Sequence, residues 1–431
     1  MGYETMNILR SKTAKNALWL IGEKIFTMSI GLLTISLIAR YLGPENYGML
    51  NYAISFVALF AIFSTLGLDS VSIKSIVQKD DTEGTILFSS IIMKLIGSIV
   101  IILMTFLAIW LVGIENDIQM YLIIIMAFVY LLRSFEAVEY WIQAYQNSRL
   151  SSSVRMIVSI ISAILKIIIV FFDLGIIALG FVYLVDVILI AFGLFYVYWR
   201  YNTEKSKWKF SLSYVKLAFS QSWYLIVSGT LVALYTQLDK VLLGNMVSKE
   251  QLGFFMAALA VSNLWKFIPL ALINSFKPVI MNLKKENEGK YLKKIQQMYS
   301  MLILINISCA LLVFLFSDLI IYILYGGEYK YASTLLTISV WAGVFSVFGT
   351  ARGIWMLCEG IQKYSIFYLG LGAVFSVCLN LLLIPKLGAM GAAITILLTE
   401  ILTTVVTSLF FKKTRLFTKM FFRALILRNL K

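Results

Sequence analysis

The chain has 431 residues, 60% of them apolar and 14% charged, with a net charge of +15 and a mean hydropathy of +0.88. That balance lies outside the range of soluble globular domains. It also argues against a nucleic-acid partner, because the basic residues fall in gaps between apolar stretches instead of on a folded basic face. There is no histidine, which excludes a His-based metal site, a His general base or an imidazole proton relay. Cys309, Cys358 and Cys378 sit in apolar runs without paired spacing, so neither a disulfide framework nor a zinc site is expected.

The polar start, Met1 to Asn16, leads into an apolar run interrupted by Glu23 and Lys24, with no small-residue cleavage site after it. It reads as a retained first helix. Twelve apolar stretches long enough to cross a bilayer follow, at roughly 17–41, 48–68, 86–112, 120–142, 153–172, 176–198, 214–238, 252–276, 298–316, 332–357, 364–384 and 391–411. With the N-terminus placed in the cytoplasm, the inside segments hold 26 Lys and Arg and the outside loops three, Lys249, Lys330 and Lys386. An imbalance of that size predicts both termini inside. No outside loop exceeds about fifteen residues, which leaves no room for a catalytic domain there.

Two echoes suggest an internal repeat. Glu45-Asn46-Tyr47-Gly48 followed by Ala53 matches Glu250-Gln251-Leu252-Gly253 followed by Ala258, and Leu174-Gly175 matches Leu387-Gly388. Both give nearly half the chain as the period. The fold class read from this is an all-α integral membrane protein of about twelve transmembrane helices in two six-helix lobes related by pseudo-symmetry, with a cavity expected between them. The lobes are placed at 1–198 and 214–411, with a cytoplasmic linker at 199–213 and a basic cytoplasmic tail at 412–431.

An ionisable residue near the centre of a spanning helix costs about 2.5–3.5 kcal/mol, so it turns toward a bundle interior or water. Arg133, Glu136, Tyr140 and Gln143 fall within about an 80° arc of one helix. Arg155, Ser159, Ser162 and Lys166 form a second stripe, and Lys24, Thr27, Gly31 and Thr34 a third. Gln221, Tyr224, Ser228, Tyr235 and Asp239 form a fourth, with Asn263, Lys266 and Asn274 on the eighth span. On the tenth, Trp341, Phe345, Phe348, Arg352, Trp355 and Glu359 share a face, which is either helix packing or a platform of rings for sugars. Arg40 and Lys240 lie close enough to predicted ends to snorkel, and Glu136 sits where it would neutralise Arg133. Asp186 and Glu400 occupy equivalent places in the two repeats and, with Glu23, Glu136 and Asp239, are candidates for coupling to sodium or protons. No resident cofactor is expected.

Within the spans, eight cationic side chains stand against six anionic ones, which favours a cargo with negative charge. Ser, Thr, Asn, Gln and Tyr beside the lysines suit hydroxyl-rich material. Leaving each hydroxyl of a bare sugar chain unpaired in hydrocarbon would cost several kcal/mol, so a polar groove is required. Lys and Arg would hold a diphosphate.

The run Ile38-Ala39-Arg40-Tyr41-Leu42-Gly43-Pro44-Glu45-Asn46-Tyr47-Gly48, continuing through Tyr52 to Phe60 and Leu66-Gly67-Leu68-Asp69, resembles the first two helices of the Wzx-type O-antigen flippases, in the polysaccharide transporter branch of the MOP flippase superfamily. The likeness recurs at Gln237-Leu238-Asp239-Lys240, Trp265-Lys266-Phe267-Ile268-Pro269, Ser275-Phe276-Lys277-Pro278 and from Leu379-Asn380 to Ala393. The resemblance implies two six-helix bundles in a V, as in MATE carriers. It also implies transfer of an undecaprenyl-diphosphate-linked oligosaccharide across the bacterial inner membrane during lipopolysaccharide or related polysaccharide synthesis, alongside polymerase and chain-length proteins. Helices one, two, seven and eight line a cationic cavity in such proteins, which singles out Lys24, Arg40, Lys240 and Lys266; Arg133, Lys166 and Arg352 join them as cationic candidates. Trp341, Trp355, Tyr224, Tyr235 and Asn263 are the candidate sugar contacts. The alternatives are a cation-coupled MATE-type multidrug exporter, which would want an anionic or apolar lumen, and a membrane glycosyltransferase or polymerase, for which no loop supplies an acid, base or phosphate cradle.

Overall fold

The computed structural model describes residues 12–202 and 206–426. Residues 203–205 of the predicted linker, 427–431 of the predicted tail and 1–11 lie outside the described residues. The described chain is helical, without a strand, and eleven of its helical segments are long and apolar enough to cross a membrane. The protein is a multi-pass membrane protein. The first segment carries two of the twelve predicted stretches: α1 (Lys12–Ala58) is broken at Gly43, whose φ of 69° no helix accommodates, and Pro44 follows with no N–H to offer.

By its internal contacts the chain forms two compact units, one containing residues up to Leu42 with Leu50–Gln237, the other Gly43–Met49 with the chain from Leu238 onward. The division falls inside the helix Leu212–Met246, not in the basic loop ahead of it.

The N-terminal unit holds most of α1, then α2 (Leu68–Gln78), α3 (Glu83–Val112), α4 (Asp117–Arg133), α5 (Ser148–Phe171), α6 (Gly175–Tyr201) and the first part of α7 (Leu212–Met246). Asn116 starts α4 by accepting a hydrogen bond from the Gln119 N–H at 2.9 Å, and Gly113, at φ 69°, ends α3. Between α1 and α2 the backbone turns through Leu66 and Gly67, both left-handed. This turn packs on α3 because Gly97 has no Cβ to collide with the Phe63 carbonyl, and because Ser98 Oγ meets Ser64 Oγ at 3.0 Å and the Tyr130 carbonyl at 3.0 Å. Tyr41 ties α1 to the α5–α6 turn, donating to Asp173 at 2.5 Å and accepting from the Gly175 N–H at 3.0 Å. The described residues of the predicted linker are packed down. Ser206 Oγ accepts from the Gly84 N–H at 2.7 Å, Trp208 sits among Phe88, Phe195 and Tyr198, and the Ser211 N–H donates to Ser89.

The C-terminal unit contains α8 (Lys249–Leu264), α9 (Phe267–Glu286), α10 (Glu288–Leu315), α11 (Lys330–Cys358), α12 (Lys363–Leu387), α13 (Ala389–Ile401) and α14 (Arg415–Leu425). Ser248 and Asn287 cap α8 and α10. Its core gathers Tyr291, Tyr299, Phe348, Trp355 and Tyr368 with Phe417 and Phe421. Those last two belong to α14, so the basic segment read as a tail is in part an amphipathic helix that buries Phe417, Met420, Phe421 and Ala424 and leaves Arg415, Lys419 and Arg423 outside.

The large apolar side chains exposed on spanning helices, Trp110, Phe171, Phe192 and Trp199 among them, have hydrocarbon as their solvent in such a protein.

Candidate functional site: charged chambers in the N-terminal unit

Two of the cavities in the N-terminal unit are lined by several charged side chains. The larger, about 470 Å³, is lined by Ser64, Thr65, Asp69, Lys94, Tyr130, Arg133, Glu136, Glu139, Tyr140, Gln143, Arg155 and Ile190. The smaller, about 280 Å³, lies between α1, α5 and α6 and includes Glu23, Thr27, Arg155, Ser162, Lys166 and Asp186. Arg155 and Ile190 border both.

In the larger cavity Lys94 is 6% exposed, with its ammonium 5.6 Å from the centre of the Tyr140 ring. The Tyr140 hydroxyl donates to Asp69 Oδ1 at 2.5 Å. A buried lysine of this kind is held by a ring face and nearby carboxylates. Arg133, its side chain half exposed, rests over the Tyr130 ring at 5.5 Å and reaches Glu136 at 4.0 Å. Arg155 Nη2 donates to Glu136 Oε2 at 3.0 Å and to Glu139 Oε2 at 2.5 Å, a charge-assisted pair of bonds from one guanidinium. Glu136 belongs to a 3₁₀ stretch, Ser134–Val138, between α4 and the short helix Glu139–Ala144. Three residues make one turn there, so positions 136 and 139 are nearly eclipsed and both reach Arg155.

In the smaller cavity the Ser162 hydroxyl donates to Asp186 Oδ2 at 2.8 Å, and Lys166 Nζ lies 3.9 Å from the same oxygen and 5.2 Å from the centre of the Tyr183 ring. Asp186 Oδ1 is buried with no hydrogen-bond partner. Glu23 accepts from Thr27 at 3.4 Å. The 3.9 Å separation and the open volume beside it leave Lys166 and Asp186 able to take other partners.

The remaining candidates are distributed over both units. Lys24, Arg40, Tyr224 and Tyr235 belong to the N-terminal unit; Lys24, Arg40 and Tyr224 are exposed and Tyr235 half-buried. Lys240, Lys266, Asn263, Asp239, Trp341, Trp355, Arg352 and Glu400 belong to the C-terminal unit. Asp239 is 1% exposed, 3.4 Å from the Lys240 ammonium. Lys266 stands at the break between α8 and α9, where Gly343 of α11 leaves room for its side chain. Trp341 packs beside Trp265, Ala310, Val340 and Val344.

Arg352 and Trp355 correct the reading of the tenth span. Arg352 is buried and its Nη1 donates to the Thr403 carbonyl at 2.6 Å, the Thr404 carbonyl at 3.0 Å and Ser408 Oγ at 3.0 Å. Those carbonyls belong to a π-helical turn, Leu402–Val406, whose wider winding frees them from the usual ladder. The guanidinium also stacks on Tyr368 at 4.5 Å, and Trp355 is sealed against Phe417. We assign both to helix packing.

Lys94 and Asp69 were not marked as site residues by the sequence. The available signal was a lysine deep inside an apolar helix, flanked at i−4 and i+4 by Ser90 and Ser98 on the same face. Among the described residues no group of three or more Cys, Asp or Glu converges as a metal site.

The fold and chambers are those of a multi-pass helical membrane protein with ionisable side chains held inside its N-terminal unit. The chain belongs to the polysaccharide biosynthesis protein family, which it matches over residues 13–283. It is 25% identical over 405 residues to the capsular polysaccharide biosynthesis protein CapF of Staphylococcus aureus, covering 93% of this chain and 99% of that one. An uncharacterized membrane protein of Methanocaldococcus jannaschii is 23% identical over 413 residues, covering 90% of this chain and 81% of its own. Among solved structures, the lipid II flippase MurJ superposes with a TM-score of 0.76 at 15% identity, over 95% of this chain and 91% of its own. A multidrug resistance MATE transporter of the MOP superfamily gives 0.72 at 14% identity, over 94% and 96%. At such identities the structural likeness establishes the fold alone.

Proposed function

We propose that this protein is a flippase, not an enzyme, that moves an undecaprenyl-diphosphate-linked oligosaccharide from the cytoplasmic to the outer leaflet of a bacterial inner membrane by alternating access. The observation that carries the reading is the larger chamber, where buried Lys94, partly buried Arg155 and half-exposed Arg133 come together among apolar helices. Cations in such a place are costly unless they meet anions or water, and a diphosphate is an anion suited to guanidinium forks. Membership of a polysaccharide biosynthesis family supports a glycan cargo, and the excess of Lys and Arg in alternate loops supports cytoplasmic termini.

In this proposal Arg133, Lys166, Lys24, Arg40, Lys240 and Lys266 also serve the anionic part of the cargo, and Tyr224, Tyr235, Asn263 and Trp341 contact sugars. Glu23, Glu136, Asp186, Asp239 and Glu400 are the groups through which sodium or protons drive the cycle. The isoprenoid tail stays in hydrocarbon, so only the polar headgroup needs a path. Depletion of the protein in its host tests this. Lipid-linked oligosaccharide should accumulate on the cytoplasmic face while surface polysaccharide disappears; unchanged surface polysaccharide would refute the proposal.

A further inference from the structure

Resting on that reading, we infer that Glu136 and Glu139 act as an internal stand-in for the cargo's diphosphate, holding Arg155 in the unloaded protein and yielding it when cargo enters.

Three cations, Lys94, Arg133 and Arg155, face three carboxylates, Asp69, Glu136 and Glu139, around the larger chamber. With all six groups ionised the charges around the chamber balance, so a diphosphate entering it meets as many negative charges as positive ones. Asp69 is engaged by the Tyr140 hydroxyl. Glu136 and Glu139 each place one carboxylate oxygen on Arg155 Nη2, charge-assisted bonds of the kind a phosphate oxygen also accepts.

The grip depends on a backbone form that is easily changed. A 3₁₀ stretch inside a spanning helix has poorer hydrogen bonding than α-helix and often marks a hinge. Rewinding Ser134–Val138 as α-helix would turn position 139 by about 60° away from position 136, because three residues then make only about 300°. One carboxylate would leave Arg155. The guanidinium, 28% exposed and bordering both chambers, would be released toward the cavity. At about 470 Å³ the chamber is within the range of small-ligand sites.

The experiment measures inorganic pyrophosphate binding to the full-length protein in nanodiscs of neutral lipid, by calorimetry, with undecaprenyl diphosphate added to the discs as competitor. Glu136→Gln and Glu139→Gln should each tighten pyrophosphate binding several-fold, and the double variant by about tenfold or more. Arg155→Gln should weaken it at least tenfold, with Arg155→Lys between, and the lipid should displace the probe. Unchanged or weaker binding by both single glutamine variants, with Arg155→Gln still losing the probe, overturns the stand-in role and leaves the anion site in place. Failure of the lipid to displace the probe overturns the assignment to the cargo's diphosphate. If no form binds pyrophosphate, the stand-in falls; the flippase reading is judged separately, by transport.

Discussion

Gly48 and Gly253 lie backbone against backbone. A Cβ on Gly48 would fall 2.8 Å from the Gly253 nitrogen, one on Gly253 would fall 3.2 Å from the Gly48 nitrogen, and each would also overlap a carbonyl, Lys249's and Pro44's respectively. These are the two glycines matched by the sequence echo, 205 residues apart, and both fall in the C-terminal unit because Gly43–Met49 is counted there. Gly48→Ala or Gly253→Ala is therefore expected to destabilise by about 1–3 kcal/mol, since backbone on the far side cannot move aside as a side chain can. Thermal unfolding followed by size-exclusion chromatography checks this, and a melting temperature equal to that of the unmodified protein would contradict it.

The buried guanidinium of Arg352 closes carbonyls freed by the π-helical turn and lies over the Tyr368 ring. Lysine keeps the charge but loses the fork and the stacking. Arg352→Lys should lower stability by about 1.5–3 kcal/mol, the range for losing hydrogen bonds made by a charged group. Transport per folded molecule should be retained. Reduced transport at unchanged stability would return Arg352 to the cargo site.

Lys166 and Asp186 share a cavity and a long ion pair. Removing either charge leaves the other uncompensated inside the membrane, whereas removing both leaves neither. Lys166→Met and Asp186→Asn should each reduce folded protein more than the double variant does. Additive losses would show that the two side chains act separately.

Much of this site was legible from residue order, and the limits have physical causes. Apolar length gave the spans, and the two glycines of the second echo, Gly175 and Gly388, both take positive φ, 79° and 58°. Arg133, Glu136 and Tyr140 were read as one face, and they share a chamber. Helical periodicity relates residues on one helix only. It could not join Lys94 of α3 to Tyr140 and Asp69, nor show that α14 folds back to cover Trp355. The 3₁₀ stretch was illegible because its sequence, Ser134 to Val138, carries no glycine or proline to mark it.

Lys24 and Lys266 are both expected to serve the cargo, from α1 and from the break between α8 and α9. Lys24→Ala or Lys266→Ala should abolish surface polysaccharide at normal protein abundance, with arginine in the same place retaining part of it. Full export by an alanine variant would remove that lysine from the proposed pathway.

The most direct test reconstitutes the purified protein in vesicles carrying a fluorescent undecaprenyl-diphosphate oligosaccharide in the outer leaflet and follows its disappearance from a membrane-impermeant quencher. The predicted result is protein-dependent protection that falls at least tenfold in Arg155→Gln while the protein remains folded. Equal protection in vesicles with and without protein, under an imposed sodium or proton gradient of either sign, would contradict the account.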